Sequence, residues 1–281
     1  MKKTLSILLS LCMFCSLCFV LASCKSDEEK LVNLQESTGL EFKLLSNNEY
    51  AVNSIGSCND VDIVIPAFYN GYPVTEIAMF CFRENYNIKS VYISENIKKI
   101  GHGAFYGCYL LNKVIIENTV EEIESSAFSS CNNITEIIFK HESKLKKIGS
   151  YAFASCVKLT SIDIPISVTS IEDGAFFHCE MLEEIVIPFG VTTLSNRVFA
   201  GCKSLTNITI HNKIKIIEEM AFAICDSLQD IYIPNSVEFI GPDAFMSCDN
   251  LIIRCEISGK PEAWHGNWNS DGCVVYWNVK N

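Results

Sequence analysis

Basic residues are scarce in this chain of 281 residues, in which 22 Lys and Arg stand against 33 Asp and Glu for a formal net charge of −11. Binding to nucleic acid draws much of its affinity from Lys and Arg side chains that replace counterions along the phosphate backbone. An acidic surface repels that backbone instead. The composition therefore predicts no nucleic-acid partner.

Sequence motifs of catalysis are missing as well. The chain has no Gly-rich phosphate loop, no Gly-x-Ser-x-Gly elbow and no His-Glu-x-x-His pair. Carboxylate pairs such as Glu121 with Glu122 and Glu183 with Glu184 fall on stretches that we expect to be solvated. The histidines have no partner at metal-ligand spacing, and we interpret all five as surface residues: His102, His141, His178, His211 and His265. We therefore predict no enzymatic activity, no cofactor and no metal site.

The one long apolar run lies at the N-terminus. Lys2 and Lys3 precede an uncharged stretch from Leu5 to Ala22, a pattern typical of an export signal. The run ends in LASC, residues 21–24, which resembles the bacterial lipobox. That resemblance implies a lipidated Cys24 as the first residue of an exported protein anchored to the bacterial outer membrane. A plain cleaved signal and a retained membrane anchor are the alternatives.

The segment after Cys24 reads KSDEEKLVNLQESTG, and its polar, acidic composition is typical of a flexible tether. Its start, CKSDEE, resembles the acidic tags that direct lipoproteins to the outer face of the membrane in Bacteroides-type bacteria, with Ser26 as an extra residue. We therefore expect a surface-exposed protein, and the periplasmic face is the alternative.

A phenylalanine recurs at a fixed period through most of the chain. The spacing is 23 residues at every step except one of 25, where the segment KHESK at 140–144 lengthens a loop. These anchor phenylalanines are Phe82, Phe105, Phe128, Phe153, Phe176, Phe199, Phe222 and Phe245. A fixed period of this length indicates a solenoid of stacked coils, in which each coil buries its apolar side on its neighbours.

Other positions repeat with the anchor. Apolar residues stand six, nine and eleven residues after it, as in Leu159, Ile162 and Ile164. The last two point to the same side of an extended strand, which a proline such as Pro165 then ends. Cysteine stands three residues after the anchor, at Cys108, Cys131, Cys156, Cys179, Cys202, Cys225 and Cys248, and Asn85 replaces it in the first coil. Each coil should thus add one strand to a parallel sheet.

Cysteine is abundant, with fifteen residues, but the repeating cysteines lie 23 or 25 apart and lack zinc-ligand spacing. We interpret them as buried free thiols that pack as small hydrophobes. Cys58, Cys81, Cys255 and Cys273 remain outside the column and the signal. Exported proteins permit disulfides, and a Cys255–Cys273 bridge would staple a C-terminal segment with little regular structure.

The units, for example IPISVTSIEDGAFFHCEMLEEI at 164–185, resemble the BspA-like branch of the leucine-rich repeats. The segments GLEFKLLSNNEYAVNSI and CEISGKPEAWHGNWNSDGCVVYWN resemble the entry and closing segments of that family. The resemblance implies a β-rich leucine-rich-repeat solenoid, right-handed, with parallel strands on one face and short strands and helical turns elsewhere. It also implies a bacterial surface protein that binds proteins, some members being adhesins for host matrix components.

The domain boundaries follow from these features. We predict a lipoprotein signal peptide at 1–23, a flexible tether at 24–38, an N-terminal cap at 39–60, about eight coils of 23 residues at 61–255, and a C-terminal cap at 256–281. We expect the protein to be a monomer.

The residue between the two inward isoleucines of each strand should face solvent. It is aromatic or aliphatic in five of seven coils, and Asp163 and Thr209 are the exceptions. The apolar members are Tyr92, Ile115, Ile138, Val186 and Tyr232. Contiguous exposed apolar surface often marks a binding site, although the same residue types also favour strands intrinsically. We predict that this column binds a protein partner, with host extracellular-matrix proteins as the expected class.

Three tryptophans, Trp264, Trp268 and Trp277, cluster in the closing segment. Large rings can cover the open end of a solenoid, and they can also form a platform on which sugars stack. We interpret them as a cap and keep binding of surface glycans as the alternative function.

Overall fold

The computed structural model of the chain describes residues 35–280, and the predicted signal peptide and Cys24 lie outside this range. Residues from Ser37 onward form one compact unit. Because inward apolar residues alternate with outward ones in each repeat, the chain forms short β-strands separated by tight turns. The described residues contain these strands in chain order: β1 (Glu41–Leu44), β2 (Tyr50–Ser54), β3 (Asp62–Ile65), β4 (Phe68–Tyr69), β5 (Tyr72–Ile77), β6 (Ser90–Ile93), β7 (Lys99–Ile100), β8 (Lys113–Ile116), β9 (Glu122–Ile123), β10 (Glu136–Phe139), β11 (Lys147–Ile148), β12 (Ser170–Ile171), β13 (Glu184–Ile185), β14 (Thr193–Leu194), β15 (Asn207–Ile208), β16 (Ile216–Ile217), β17 (Asp230–Ile233), β18 (Phe239–Ile240), β19 (Ile252–Cys255) and β20 (Val274–Tyr276).

The strands form stacks that run from coil to coil. One sheet has the order β1-β2-β5-β7-β9-β11-β12, with β4 paired to β5, and β14-β16-β18 carries on the same repeat position. The strand face predicted from the isoleucine pattern comprises the sheets β3-β6-β8-β10, β13-β15 and β17-β19-β20. Strands pair in parallel throughout, except for β1 with β2 and β4 with β5. The parallel solenoid predicted from the repeat is therefore confirmed.

The helical turns implied by the family resemblance are absent, because residues 35–280 contain no helix, and hence none that could cross a membrane. Consecutive tight turns take their place around each anchor phenylalanine. Residues two before and two after the anchor have positive φ, as at Gly174 (+59°) and His178 (+55°). Successive backbone N–H groups make two kinds of hydrogen bond in turn. One kind closes a turn within the coil, as when Phe177 N donates to Gly174 O at 2.8 Å. The other kind joins the next coil, as when Phe176 N donates to Val198 O at 3.0 Å. This alternation satisfies the backbone without a helix.

The anchor phenylalanines form one continuous column inside the solenoid. All eight rings are at most 1% exposed. Neighbouring ring centroids lie between 4.9 Å (Phe82 to Phe105) and 5.8 Å (Phe176 to Phe199), and the rings are close to parallel. Stacked aromatic pairs add stabilisation beyond the area that they bury. The stacking of like side chain over like is therefore confirmed.

The cysteine column has a hydrogen-bonding role that the sequence did not reveal. Each thiol from Cys108 to Cys248 donates to the carbonyl oxygen of the anchor phenylalanine one coil earlier, at 3.0 to 3.4 Å. A cysteine thus fills a small apolar site and supplies a weak S–H donor, which alanine lacks. Burial raises the pKa of the Cys179 thiol to about 12. The described cysteines are free thiols and all but Cys273 are buried, as predicted for the column.

The predicted Cys255–Cys273 bridge is not formed, because both residues are free thiols. In the parallel pairing of β19 with β20, Ile252 lies opposite Val274. Cys255 therefore lies past this pair and Cys273 before it, an offset of about 13 Å along the strands at 3.3 Å per residue. That separation is too large for a disulfide. Cys273 instead extends the cysteine column, with its Sγ atom 3.7 Å from the carbonyl oxygen of Cys248.

The tryptophans cover the C-terminal end of the solenoid. Trp264 and Trp268 are only 1% and 5% exposed. The ring of Trp268 contacts Phe245 edge-on, with the centroids 6.1 Å apart, and Trp264 Nε1 donates to the carbonyl oxygen of Val237 at 3.4 Å. Since neither ring presents a free face, the sugar-platform alternative is wrong for these two residues. Trp277 packs against both and is partly buried.

Candidate functional site

The N-terminal part of the predicted column is brought together by strand register. Tyr92 in β6 lies opposite Ile115 in β8, and Ile115 lies opposite Ile138 in β10. All three side chains are partly buried. Because they stand on adjacent strands of one sheet, each covers its neighbour. We call Tyr92, Ile115 and Ile138 the N-terminal strand patch.

Polar contacts fix this patch in place. The Tyr92 hydroxyl donates to Glu117 Oε1 at 2.6 Å. Burial, followed by the hydrogen bond to Glu117 and the negative charge of that carboxylate, raises the pKa of the Tyr92 phenol. On the neighbouring column, Lys113 Nζ lies 2.9 Å from Glu136 Oε2. The N-terminal strand patch is thus a surface whose polar groups are satisfied within the chain.

The outward column is interrupted in the centre of the solenoid. Residues 159–165 form no strand, and Asp163 is exposed where neighbouring coils carry an apolar residue. The inward Ile162 and Ile164 remain buried, at 5% and 9% exposure, so the coil itself is intact. In the next coil Val186 is 79% exposed. The sequence therefore located these residues on one column but not the change in their environment.

Tyr232 belongs to a separate group at the C-terminal end. It lies opposite Arg254 in β19, which lies opposite Tyr276 in β20. Arg254 Nε donates to Asp230 Oδ2 at 2.6 Å, and its guanidinium carbon is 5.6 Å from the centroid of the Tyr276 ring. Tyr232 is six coils away from Tyr92, or roughly 29 Å at the usual strand spacing. The structure therefore does not join the predicted residues into one patch.

Sequence reasoning missed two exposed apolar residues beside Val186. Ile166 and Phe189 are 94% and 70% exposed. Each directly follows a proline in a tight turn. Val168 N donates to Pro165 O at 3.0 Å in the first turn, and Val191 N donates to Pro188 O at 2.9 Å in the second. Comparing the same position in other coils, which holds Asn118, Asn212 and Asn235, would have revealed them. We call Ile166, Val186 and Phe189 the exit-turn patch.

The interpretation of all histidines as surface residues is wrong for His211. Its ring is buried, with Nε2 3.1 Å from the carbonyl oxygen of Pro188. The ring also lies beside Phe189, with the centroids 4.7 Å apart. His211 thus supports the exit turn from the following coil.

A second group of exposed aromatics lies on the anchor side of the first two coils. The rings of Tyr86 and Tyr109 stack at 5.5 Å, and the Arg83 guanidinium lies 5.2 Å from the ring centroid of Phe80. The two tyrosine rings thus cover each other in part, and the Arg83 guanidinium lies against the Phe80 ring. A shallow, open depression beside Tyr109 is lined by Lys89, Leu110, Asn112, Asn133, Thr135 and Lys158. Across residues 35–280 we find no group of three side chains that could hold a metal ion.

A parallel solenoid with a 23-residue repeat, buried leucine and isoleucine positions and a variable outer strand face has the architecture of the leucine-rich-repeat class. The family model described as BspA type Leucine rich repeat region matches residues 75–203 and 146–257, in six copies. The chain belongs to this family. Solenoids of this class are typically non-catalytic scaffolds whose extended surfaces bind other proteins.

Solved structures of bacterial leucine-rich repeat proteins resemble the chain. The T. pallidum leucine rich repeat protein is 25% identical, with 70% of this chain and 91% of that chain covered and a TM-score of 0.62. A leucine-rich repeat protein from Bacteroides ovatus is 26% identical, with 88% of this chain and 72% of that one covered and a TM-score of 0.67. A match to a leucine rich cell surface protein from Faecalibacterium prausnitzii is 22% identical, covering 88% of this chain and 98% of that one, with a TM-score of 0.35. No curated protein matches the chain.

Proposed function

We propose that the protein is a non-enzymatic bacterial cell-surface lipoprotein that binds another protein through the outer side of its solenoid, in adhesion to host or matrix proteins. The observation that supports this best is the exit-turn patch, because Ile166, Val186 and Phe189 expose apolar surface while the core behind them is already filled. Exposed apolar groups of this kind mark protein interfaces. The glycan-binding alternative has lost support, since Trp264 and Trp268 are buried.

A panel of purified extracellular-matrix proteins, immobilised for surface plasmon resonance, tests protein binding. Residues 25–281 retain every described strand, from Glu41 to Tyr276, and serve as the soluble protein. We expect at least one matrix protein to bind reproducibly, and a panel of surface polysaccharides to give no signal and no change in tryptophan fluorescence. Binding of polysaccharides alone would favour the glycan alternative.

The proposed anchor is a lipid on Cys24, after removal of residues 1–23, with 24–38 as the tether, 39–60 and 256–281 as the caps, and 61–255 as the repeats. Labelling of bacteria that express the full chain with a radioactive fatty acid tests it. We expect label in the native chain and none in Cys24→Ala, whereas the control Cys18→Ala should label normally. Protease added to intact cells should degrade the protein if it is on the surface, and should spare it if it faces the periplasm.

A further inference from the structure

Ile166 and Phe189 are the second residues of the turns that begin at Pro165 and Pro188, and the fold does not need an apolar residue at this position. Three other coils close the same turn with the equivalent hydrogen bond. In two of them, Ile214 N donates to His211 O at 3.0 Å and Val237 N donates to Pro234 O at 3.1 Å. Their second residues are Asn118, Asn212 and Asn235, and asparagine is favoured in turns. The fold is therefore served by a polar residue at this position, and Ile166 and Phe189 need another explanation.

The exit-turn patch is the most exposed apolar surface in the described chain. Its three members are the most exposed large hydrophobic residues among 35–280. Ile166 and Phe189 hold the same position in adjacent coils, and Val186 precedes Phe189 by three residues. Two neighbouring coils thus present all three side chains to solvent. Apart from the contact between the Phe189 and His211 rings, this exposed surface adds little to the packing of the fold, and contiguous exposed apolar surface often marks a binding site.

Carboxylates without ion-pair partners accompany the patch. Asp163, Glu183 and Glu184 belong to the same two coils and are exposed. Within residues 35–280 none of the three forms an ion pair. In two other coils an acidic residue on the strand is paired, Glu136 with Lys113 and Asp230 with Arg254. The central coils therefore carry negative charge that the chain leaves uncompensated.

We infer that the exit-turn patch, together with Asp163, Glu183 and Glu184, binds a protein segment that carries apolar side chains flanked by Lys or Arg. This inference rests on the proposed protein-binding function and names the surface and the partner chemistry. Apolar contact supplies affinity, and opposite charge supplies orientation and a fast approach. A second copy of this chain fits poorly, because it would bring the same carboxylates face to face.

Fluorescence anisotropy with a labelled synthetic peptide, in which Leu residues are flanked by Lys, tests the inference on residues 25–281. We expect the native protein to bind it and to ignore a matched peptide with Glu in place of Lys. The double variant Ile166→Ser/Phe189→Ser should weaken binding by about tenfold, a loss typical of an interface centre. The triple variant Asp163→Asn/Glu183→Gln/Glu184→Gln should weaken binding at low salt and remove most of its salt dependence.

Matched variants elsewhere on the surface control for non-specific attraction. Leu44→Ser/Val274→Ser removes exposed apolar residues outside the patch, and Asp173→Asn/Asp226→Asn/Asp249→Asn removes exposed carboxylates on the anchor side. We expect both to bind the peptide like the native protein. Circular dichroism and urea midpoints of all variants show whether each remains folded.

Several results would overturn the inference. It fails if the control variants lose as much affinity as the patch variants, if the native protein binds neither peptide, or if sedimentation shows a dimer that Ile166→Ser/Phe189→Ser abolishes. A matrix protein that binds the patch variants as well as the native protein would also refute the inference while the proposed function stands. Absence of any protein ligand for the native chain would refute the proposed function itself.

Discussion

The two sides of each coil differ in how strictly they repeat. On the anchor side, every coil from Phe82 to Phe245 buries the same ring, and the N–H group of each anchor from Phe82 to Phe222 donates to a carbonyl oxygen of the next coil. On the strand side, β6, β8 and β10 have four residues each, residues 159–165 form no strand, and β13 has two. The anchor side must fit both neighbouring coils at once, so its residues are constrained. The outward strand positions touch no second layer, which leaves them free to vary and to acquire function.

The largest loss of stability is expected from a substitution in the buried phenylalanine column of the anchor side. Phe176→Ala removes a fully buried ring between Phe153 and Phe199. The cavity should lower the free energy of unfolding by about 3 to 5 kcal/mol, measured by urea denaturation. The matched Phe189→Ala on the strand side should change it by less than about 0.5 kcal/mol. Similar losses for the two variants would break the comparison.

A glycine on the anchor side makes room for an aromatic ring from the coil before it. A Cβ atom at Gly174 would overlap the ring of Tyr151, and the backbone there has a φ of +59°. We expect Gly174→Ala to lower stability by about 1 to 3 kcal/mol through overpacking.

Two variants check that explanation of Gly174. Tyr151→Ala should recover part of the loss when combined with Gly174→Ala, since it removes the overlapping ring. Gly266→Ala, where an added Cβ meets nothing within 4 Å, should be close to neutral. A double variant that is as unstable as the two single losses added together would show that the ring is not the cause.

The strand side can be made to resemble the N-terminal sheet. Asp163→Ile places an apolar residue between Ile138 and Val186 on the outward column, and should raise stability by about 0.5 to 1 kcal/mol through cross-strand packing. Amide hydrogen exchange in 161–165 should slow at the same time. Asp163→Asn removes the charge without adding a β-branched side chain, and an equal gain in that variant would attribute the effect to charge alone.

The protonation of the buried thiols is expected to have the smallest effect on the free energy of unfolding at neutral pH. The pKa of Cys179 is about 12 when folded, against an ordinary value of 9.0. The folded chain therefore keeps a proton that the unfolded chain loses, so this stabilisation is complete below pH 9 and is lost as the pH rises toward 12. Urea midpoints should fall over that range, and less steeply in Cys179→Ala.

Thiol reactivity gives an independent check on this burial. A disulfide reagent at mildly alkaline pH should modify Cys156, Cys179 and Cys202 slowly in the native protein and rapidly in urea, because burial raises the pKa of these thiols and only the thiolate reacts. Rapid modification of the native column would contradict its burial.

The period, the anchor column and the parallel strands followed from the sequence alone. A side chain such as Phe176 that recurs every 23 residues can be buried repeatedly only by lying over its equivalent in the next coil. The position of Val186 on the outward column followed from strand alternation in the same way. The contacts that the pattern did not specify were those between different positions of neighbouring coils, such as the Cys179 thiol with the carbonyl oxygen of Phe153.

The sequence by itself thus determined the coil, its inward residues and the family, because these depend on spacing along one chain. Only the tertiary structure decided that Cys255 and Cys273 lie too far apart for a bridge, and that Trp264 and His211 are buried. Those outcomes depend on the register between neighbouring coils and on which surfaces the adjacent coil covers. Neither quantity is encoded in the spacing of a single repeat, since each arises only when the coils are packed together.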